Sequence, residues 1–168
     1  MIRELLFALA VGALSAAHAA DVSIISERAA EWAEAQARES LARGVELTPA
    51  QAAIARQVGV AHPMKVRLHV VEGLPSPDDP VLVAAAGKIG LMPQAADGMT
   101  LGYAVLIKRG AEHDRQLLRH ELRHVAQYES RGGIRPFFAE HIPALLRYGY
   151  AGSPFERDAR AHEAPRPR

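Results

Sequence analysis

The sequence predicts an α+β fold, mainly helical with a short antiparallel sheet. Three observations carry this. Ala is abundant and aromatic residues make up only 5% of the 168 residues, a composition that leans toward helix. Several helix-length stretches are opened by capping residues and closed by Gly. Two shorter stretches, Met64 to Val71 and Thr100 to Lys108, alternate in polarity or carry β-formers, as half-buried strands do. An apolar fraction of 49% gives one domain a core, and the length does not comfortably provide two.

The first twenty residues read as an export leader. Met1-Ile2-Arg3 is a short positive start set against Glu4, Leu5 to Ala17 is uncharged, and Ala17-His18-Ala19-Ala20 is a small-x-small site. That pattern predicts a signal peptide over residues 1–20, cut after Ala19 or Ala20, rather than a membrane span or a buried N-terminal helix. The rest of the chain shows no second hydrophobic run. The expectation is therefore a periplasmic or secreted protein with no membrane span in the mature chain.

The remaining elements follow in order. Ser26 to Arg43 predicts a helix stopped by Gly44, and Thr48-Pro49-Ala50-Gln51 a capping box that opens a helix ending at Gly59. Met64 to Val71 is the first strand, and the Pro- and Asp-rich segment from Gly73 to Pro80 a loop. Val81 to Ala86 is a short apolar element of open type, and Gly87 to Gly98 is mostly loop. Thr100 to Lys108 is the second strand, closed by Arg109-Gly110. Asp114 to Ser130 is the strongest helix, with Gly132-Gly133 as its stop. Pro136 opens another, bent at Pro143 and ended by Gly149, and Ser153-Pro154 starts a short last helix. Residues 164–168 are a loose tail.

Charge and cysteine content remove several function classes. A formal net charge of +1 is no electrostatic footprint for nucleic acid. The absence of Cys excludes thiolate metal ligands, cysteine nucleophiles and thiol redox chemistry. Any metal must be held by His and carboxylates.

One motif carries chemistry. In His120-Glu121-Leu122-Arg123-His124 the histidines are spaced i and i+4, so a helix puts both imidazoles on one face, within reach of a single Zn²⁺. Glu121 is offset around the helix, unable to join the same ion easily but able to act on water beside it as general base. Leu118, Leu122 and Val125 form a separate apolar stripe that buries the helix while the histidines face a cleft. A helix with two surface histidines is the plain alternative.

The third ligand is less determined by spacing. Glu156 is available, but Ser153-Pro154-Phe155-Glu156 also reads as a capping box in which Glu156 serves only the helix end. His141 is the main rival, Glu140 a weaker one, and His162 lies close to the tail. Gln127, one turn past His124, can orient a ligand or substrate, and Tyr148 or Tyr150 can donate to an oxyanion. His113 reads as a helix-start surface histidine, and His62 and His69 as structural or exposed.

The motif, followed by Gln127-Tyr128 and by Gly149-Tyr150-x-x-x-Pro154-x-Glu156, resembles small bacterial zinc-metallopeptidase-like proteins of the glutamate-ligand zincin kind. The resemblance spans Met99 to about Arg160. It implies one zincin-like domain over residues 21–163, His120, His124 and Glu156 as zinc ligands, and Glu121 as the catalytic group. Gln127 and Ser130 stand where the metzincin extension requires Gly and His, so that group does not fit. The expected function is zinc-dependent hydrolysis of an amide bond in a peptide, a protein or a cell-wall crosslink. The alternatives are a zinc-stabilised scaffold of the cell envelope without turnover, and a metal-free helical binding protein. A peptide substrate is expected to pair with an edge strand near Tyr103 to Ile107.

Overall fold

The computed structural model describes residues 2–89 and 95–164, with side chains from Asp21 onward. The leader expected over residues 1–20 thus falls outside the described side chains, and the expected tail outside the described residues except Ala164. No helix among the described residues is long and apolar enough to cross a membrane.

The architecture is α+β and mainly helical. The elements are α1 (Ile2–Arg43), β1 (Val45–Glu46), α2 (Pro49–Gln57), a 3₁₀ turn (Pro63–Lys65), β2 (Arg67–Val71), α3 (Pro80–Ile89), β3 (Gly98–Leu101), β4 (Ala104–Lys108), α4 (Arg115–Arg131), α5 (Ile134–Gly152) and α6 (Pro154–Ala161). The helix expected from Ser26 begins far earlier, at Ile2. The capping box at Thr48 forms in full, each partner bonding the other's backbone N–H. The open-type apolar segment is helical: Asp79 accepts from the Val81 N–H and Pro80 takes the first position of α3.

The second expected strand is two strands. The chain turns at Gly102-Tyr103, so β3 and β4 form a hairpin in register Leu101↔Ala104 and Thr100↔Val105. Gly102 has φ 64°, the Gly-first pattern of a tight two-residue hairpin turn. That turn also corrects the sheet, which is mixed and not antiparallel. The order is β1-β2-β4-β3, with β4 lying parallel to β2 and the other two pairs antiparallel. A parallel pair needs a long crossover, which the segment carrying α3 and β3 provides. It corrects the peptide-pairing edge as well: β4 is central and paired on both sides, so the outer strand of the hairpin is β3, whose Thr100 carbonyl already accepts from the Tyr128 hydroxyl of α4.

Strand periodicity organises the core. Val105 and Ile107 face one way, into a cluster with Leu68, Ile54 and the α4 stripe of Leu118, Leu122 and Val125. Ala104 and Leu106 face the other way, toward Ala29, Ala33 and Ala37 of α1, Tyr128 at the end of α4, and Phe137 and Phe138 of α5. The small residues of α1 allow it to pack closely on α5 and the sheet. α4 is thus held by β3 and the core on one side and by α5 and α6 on others.

Candidate metal centre

α4 is fixed at both ends before it presents anything. The Asp114 side chain accepts from the N–H groups of Gln116 and Leu117, and Gly132, at φ 84°, closes the C-terminus in the left-handed region that Gly tolerates. Between these caps the i, i+4 spacing brings His120 Nε2 and His124 Nε2 to 3.1 Å from one another.

The third group arrives from α6. Gly149, at φ 68° and ψ 172°, breaks the helical course of α5. The chain turns back, and α6 packs along α4. Glu156 then reaches both histidines, with Oε2 at 3.5 Å from His120 Nε2 and Oε1 at 3.5 Å from His124 Nε2. The capping-box alternative does not form. Ser153 makes no side-chain cap bond, and its own N–H, which a capping Glu would take, goes to the carbonyls of Gly149 and Tyr150. His120, His124 and Glu156 therefore form a compact possible metal site.

The far sides of both imidazoles are anchored. Gln127 Nε2 donates to the Phe155 carbonyl at 2.9 Å and to Asp158 Oδ2 at 2.7 Å. Those two acceptors fix the amide orientation, so its Oε1, 2.9 Å from His124 Nδ1, must accept from an N–H there. On His120, Nδ1 lies 2.9 Å from Glu163 Oε1 and donates to that carboxylate. With both Nδ1 atoms protonated, both Nε2 lone pairs point at each other and at a carboxylate. Two facing lone pairs need a cation between them, a proton or a metal. Burial pushes the His120 imidazole down, but the carboxylates of Glu156, Glu121 and Glu163 outweigh it and raise the group to about 9. Burial pushes Glu156 up, and His120, His124 and His141 overcome that, holding it at about 2. Glu156 Oε2 is buried and accepts no hydrogen bond. Two converging imidazole nitrogens and an ionised carboxylate with an unsatisfied oxygen are a donor set that fits a metal ion.

Glu121 stands outside that set. Its carboxylate is buried beneath β3, where Thr100 Oγ1 donates to Oε2 at 2.7 Å. Burial, the largest influence, raises its pKa against the opposing effect of His124 and His120. Gly98 leaves the space this requires: a Cβ there would lie 2.6 Å from Glu121 Oε1 and 2.9 Å from its Cγ.

The remaining candidates separate cleanly. Tyr150 lines the cavity beside the triad within hydrogen-bonding reach of Glu156, and burial together with that carboxylate keeps its hydroxyl protonated. Tyr148 is on the surface, with the Arg147 guanidinium over its ring. His141 lines the same cavity, stacked on Phe137 with ring centroids 4.8 Å apart and edge-on to Phe155. Burial lowers it to about 3, so it is neutral, and it is not one of the clustered ligand atoms. Glu140 pairs with Arg131, and His162 Nδ1 faces the Asp158 carbonyl. His62 and His113 are exposed. Sequence reasoning did not single out Thr100, Gly98, Asp158 or Glu163. Glu163 stands as the last residue of the expected domain with no role, and the other three carry no motif.

Residues 90–132 match the family model of the eCIS core domain. The match takes in β3, β4 and α4, with the whole motif, and stops short of α5 and α6. Neither a curated protein nor a solved structure matches the chain.

Proposed function

We propose that this protein is an exported zinc-dependent peptidase. The observation that carries the reading is the buried carboxylate of Glu121, held by Thr100 beside a three-ligand cluster yet not part of it. A purely structural metal site has no use for such a group. The family matched over residues 90–132 is associated with metallopeptidase-like proteins of extracellular contractile injection systems, a likeness that covers the motif helix without bearing on catalysis.

His120, His124 and Glu156 would hold the ion. A zinc there would supply Lewis acidity, lowering the pKa of water and polarising a carbonyl oxygen. Glu121 takes a proton from the water whose oxygen adds to the carbonyl carbon. It returns that proton to the amide nitrogen as the C–N bond breaks. A carboxylate whose pKa is raised by burial accepts and releases the proton more evenly than an ordinary one. The Tyr150 hydroxyl, which lines the same cavity beside Glu156, would donate to the developing oxyanion.

The test is Glu121→Gln in the full chain. The variant should keep its zinc and its fold and lose hydrolysis by about 10²-fold or more. Turnover equal to wild type would defeat the assigned mechanism. A zinc-loaded wild type that cleaves no member of broad peptide libraries or crosslinked wall fragments would leave a scaffold.

A further inference from the structure

The cavity that contains the catalytic carboxylate extends well beyond it and changes character. At one end it reaches Glu121, His124 and Glu156. The rest is walled mostly by apolar side chains from four separate elements, among them Trp32 of α1, Leu82 of α3, Met99 of β3, and Phe138, Ile142 and Leu145 of α5, with the neutral His141 ring between them. No Lys, Arg or Asp lines it among the described residues. Its volume is about 200 Å³.

Size and polarity together narrow what fits. A dry apolar cavity of about 150 Å³ accepts a benzene, so this one has room for a single aromatic or branched aliphatic side chain. It is too small for a drug-sized ligand, whose pockets run from roughly 300 Å³ upward. A charged side chain placed there would lose its hydration and find no partner on the apolar walls. Because the cavity is continuous with the metal centre, a side chain seated in it brings its own backbone to Glu121.

From this we infer that the preferred substrate is a peptide carrying one bulky apolar residue, of Leu or Phe size, directly beside the scissile bond. The inference rests on the zinc-peptidase reading and specifies its substrate. α1 and α3 build much of the wall although they contribute nothing to the metal site, so specificity and chemistry reside in different parts of the chain.

The experiment measures binding rather than turnover. Full-length zinc-loaded protein is titrated calorimetrically with two hydroxamate series, which place the variable side chain on either side of the metal-binding group. The side chains are those of Gly, Leu, Phe and Asp. In one series Leu and Phe should bind roughly 10- to 100-fold more tightly than Gly, the range that burial of such a side chain supports, with Asp the weakest. Ala86→Phe, at the half-buried wall of the same cavity, should erase that preference and leave the Gly compound unaffected. Circular dichroism checks its fold, and if the variant does not fold the wild-type series decides alone. Equal affinity across the side chains in both series would overturn the inference and leave the metal site standing. Failure of every hydroxamate to bind would overturn the zinc reading and this inference with it.

Discussion

Gly98 offers a test of where the Glu121 carboxylate sits that needs no substrate. A methyl group at this position would lie 2.6 Å from Glu121 Oε1 and 2.9 Å from its Cδ and Cγ. Ordinary contacts begin near 3.5 Å, so Gly98→Ala must push the Glu121 side chain by roughly 0.5–1 Å. That side chain is buried and bonded to Thr100, so it cannot swing freely into water. Overpacking of this kind costs about 1–3 kcal/mol. In a Glu121→Ala background the obstructing atoms are gone, and the same Gly98→Ala change should cost close to nothing. Thr100 keeps a partner there, because its hydroxyl also faces the Glu121 backbone carbonyl at 2.9 Å. Urea unfolding of the wild type, both single variants and the double variant closes the cycle. The expected coupling is about 1–3 kcal/mol. Strict additivity, within about 0.5 kcal/mol, would show that Glu121 does not occupy the space beneath β3. In any hydrolysis assay, displacement by nearly 1 Å should lower kcat/KM by about 10²-fold while zinc content stays at the wild-type level.

Further outcomes are set by the same geometry. His120→Ala, His124→Ala and Glu156→Ala should each remove most of the co-purifying zinc, read by metal analysis; unchanged zinc in all three would refute the ligand set. Glu163→Gln touches only the far nitrogen of His120 and should weaken zinc binding by about 10- to 100-fold without abolishing it; competition with a chromophoric chelator measures this, and a wild-type affinity would remove Glu163 from the site. In chelator, thermal stability should fall as pH rises. The folded His120 imidazole sits at about 9 against an ordinary 6.5, so its contribution is complete below 6.5 and lost as pH climbs through 9. A melting temperature that stays flat or rises across that window would contradict the charge balance described for the pair. Native protein should begin at Ala20 or Asp21 if the leader is cleaved; a cytoplasmic pool retaining Met1 would count against export.

The motif helix was legible because its signals are local: Asp114 as cap, Gly132-Gly133 as stop, and histidines one turn apart all act within α4. Bringing Glu156 to them depended on Gly149, whose left-handed φ turns the chain back. The sequence shows the Gly as a helix end but not the direction in which the chain leaves it. The hairpin at Gly102-Tyr103 was hidden because Thr100 to Lys108 is almost uniformly apolar, so one strand and two give similar patterns. The parallel pairing of β2 with β4 was unreadable for the same reason, since that turn sets the direction of β4. Glu163 and Thr100 act on the site from separations of 43 and 21 residues, and no periodicity reports contacts of that range.

The division of the ligands between α4 and α6 has a consequence for the chain as a polymer. With no Cys in the sequence, the protein has no covalent staple. An ion shared by His124 and Glu156 would close a loop of about thirty residues that contains the whole of α5. Holding such a loop closed in the unfolded chain is worth about 3–4 kcal/mol when the tie is a disulfide. A reversible tie of that magnitude would add to what already holds α6 in place, the buried Phe155 and Ala159, the Arg123–Asp158 pair and the Gln127 hydrogen bonds, so that α6 would be fastened more firmly where zinc is plentiful than where it is scarce.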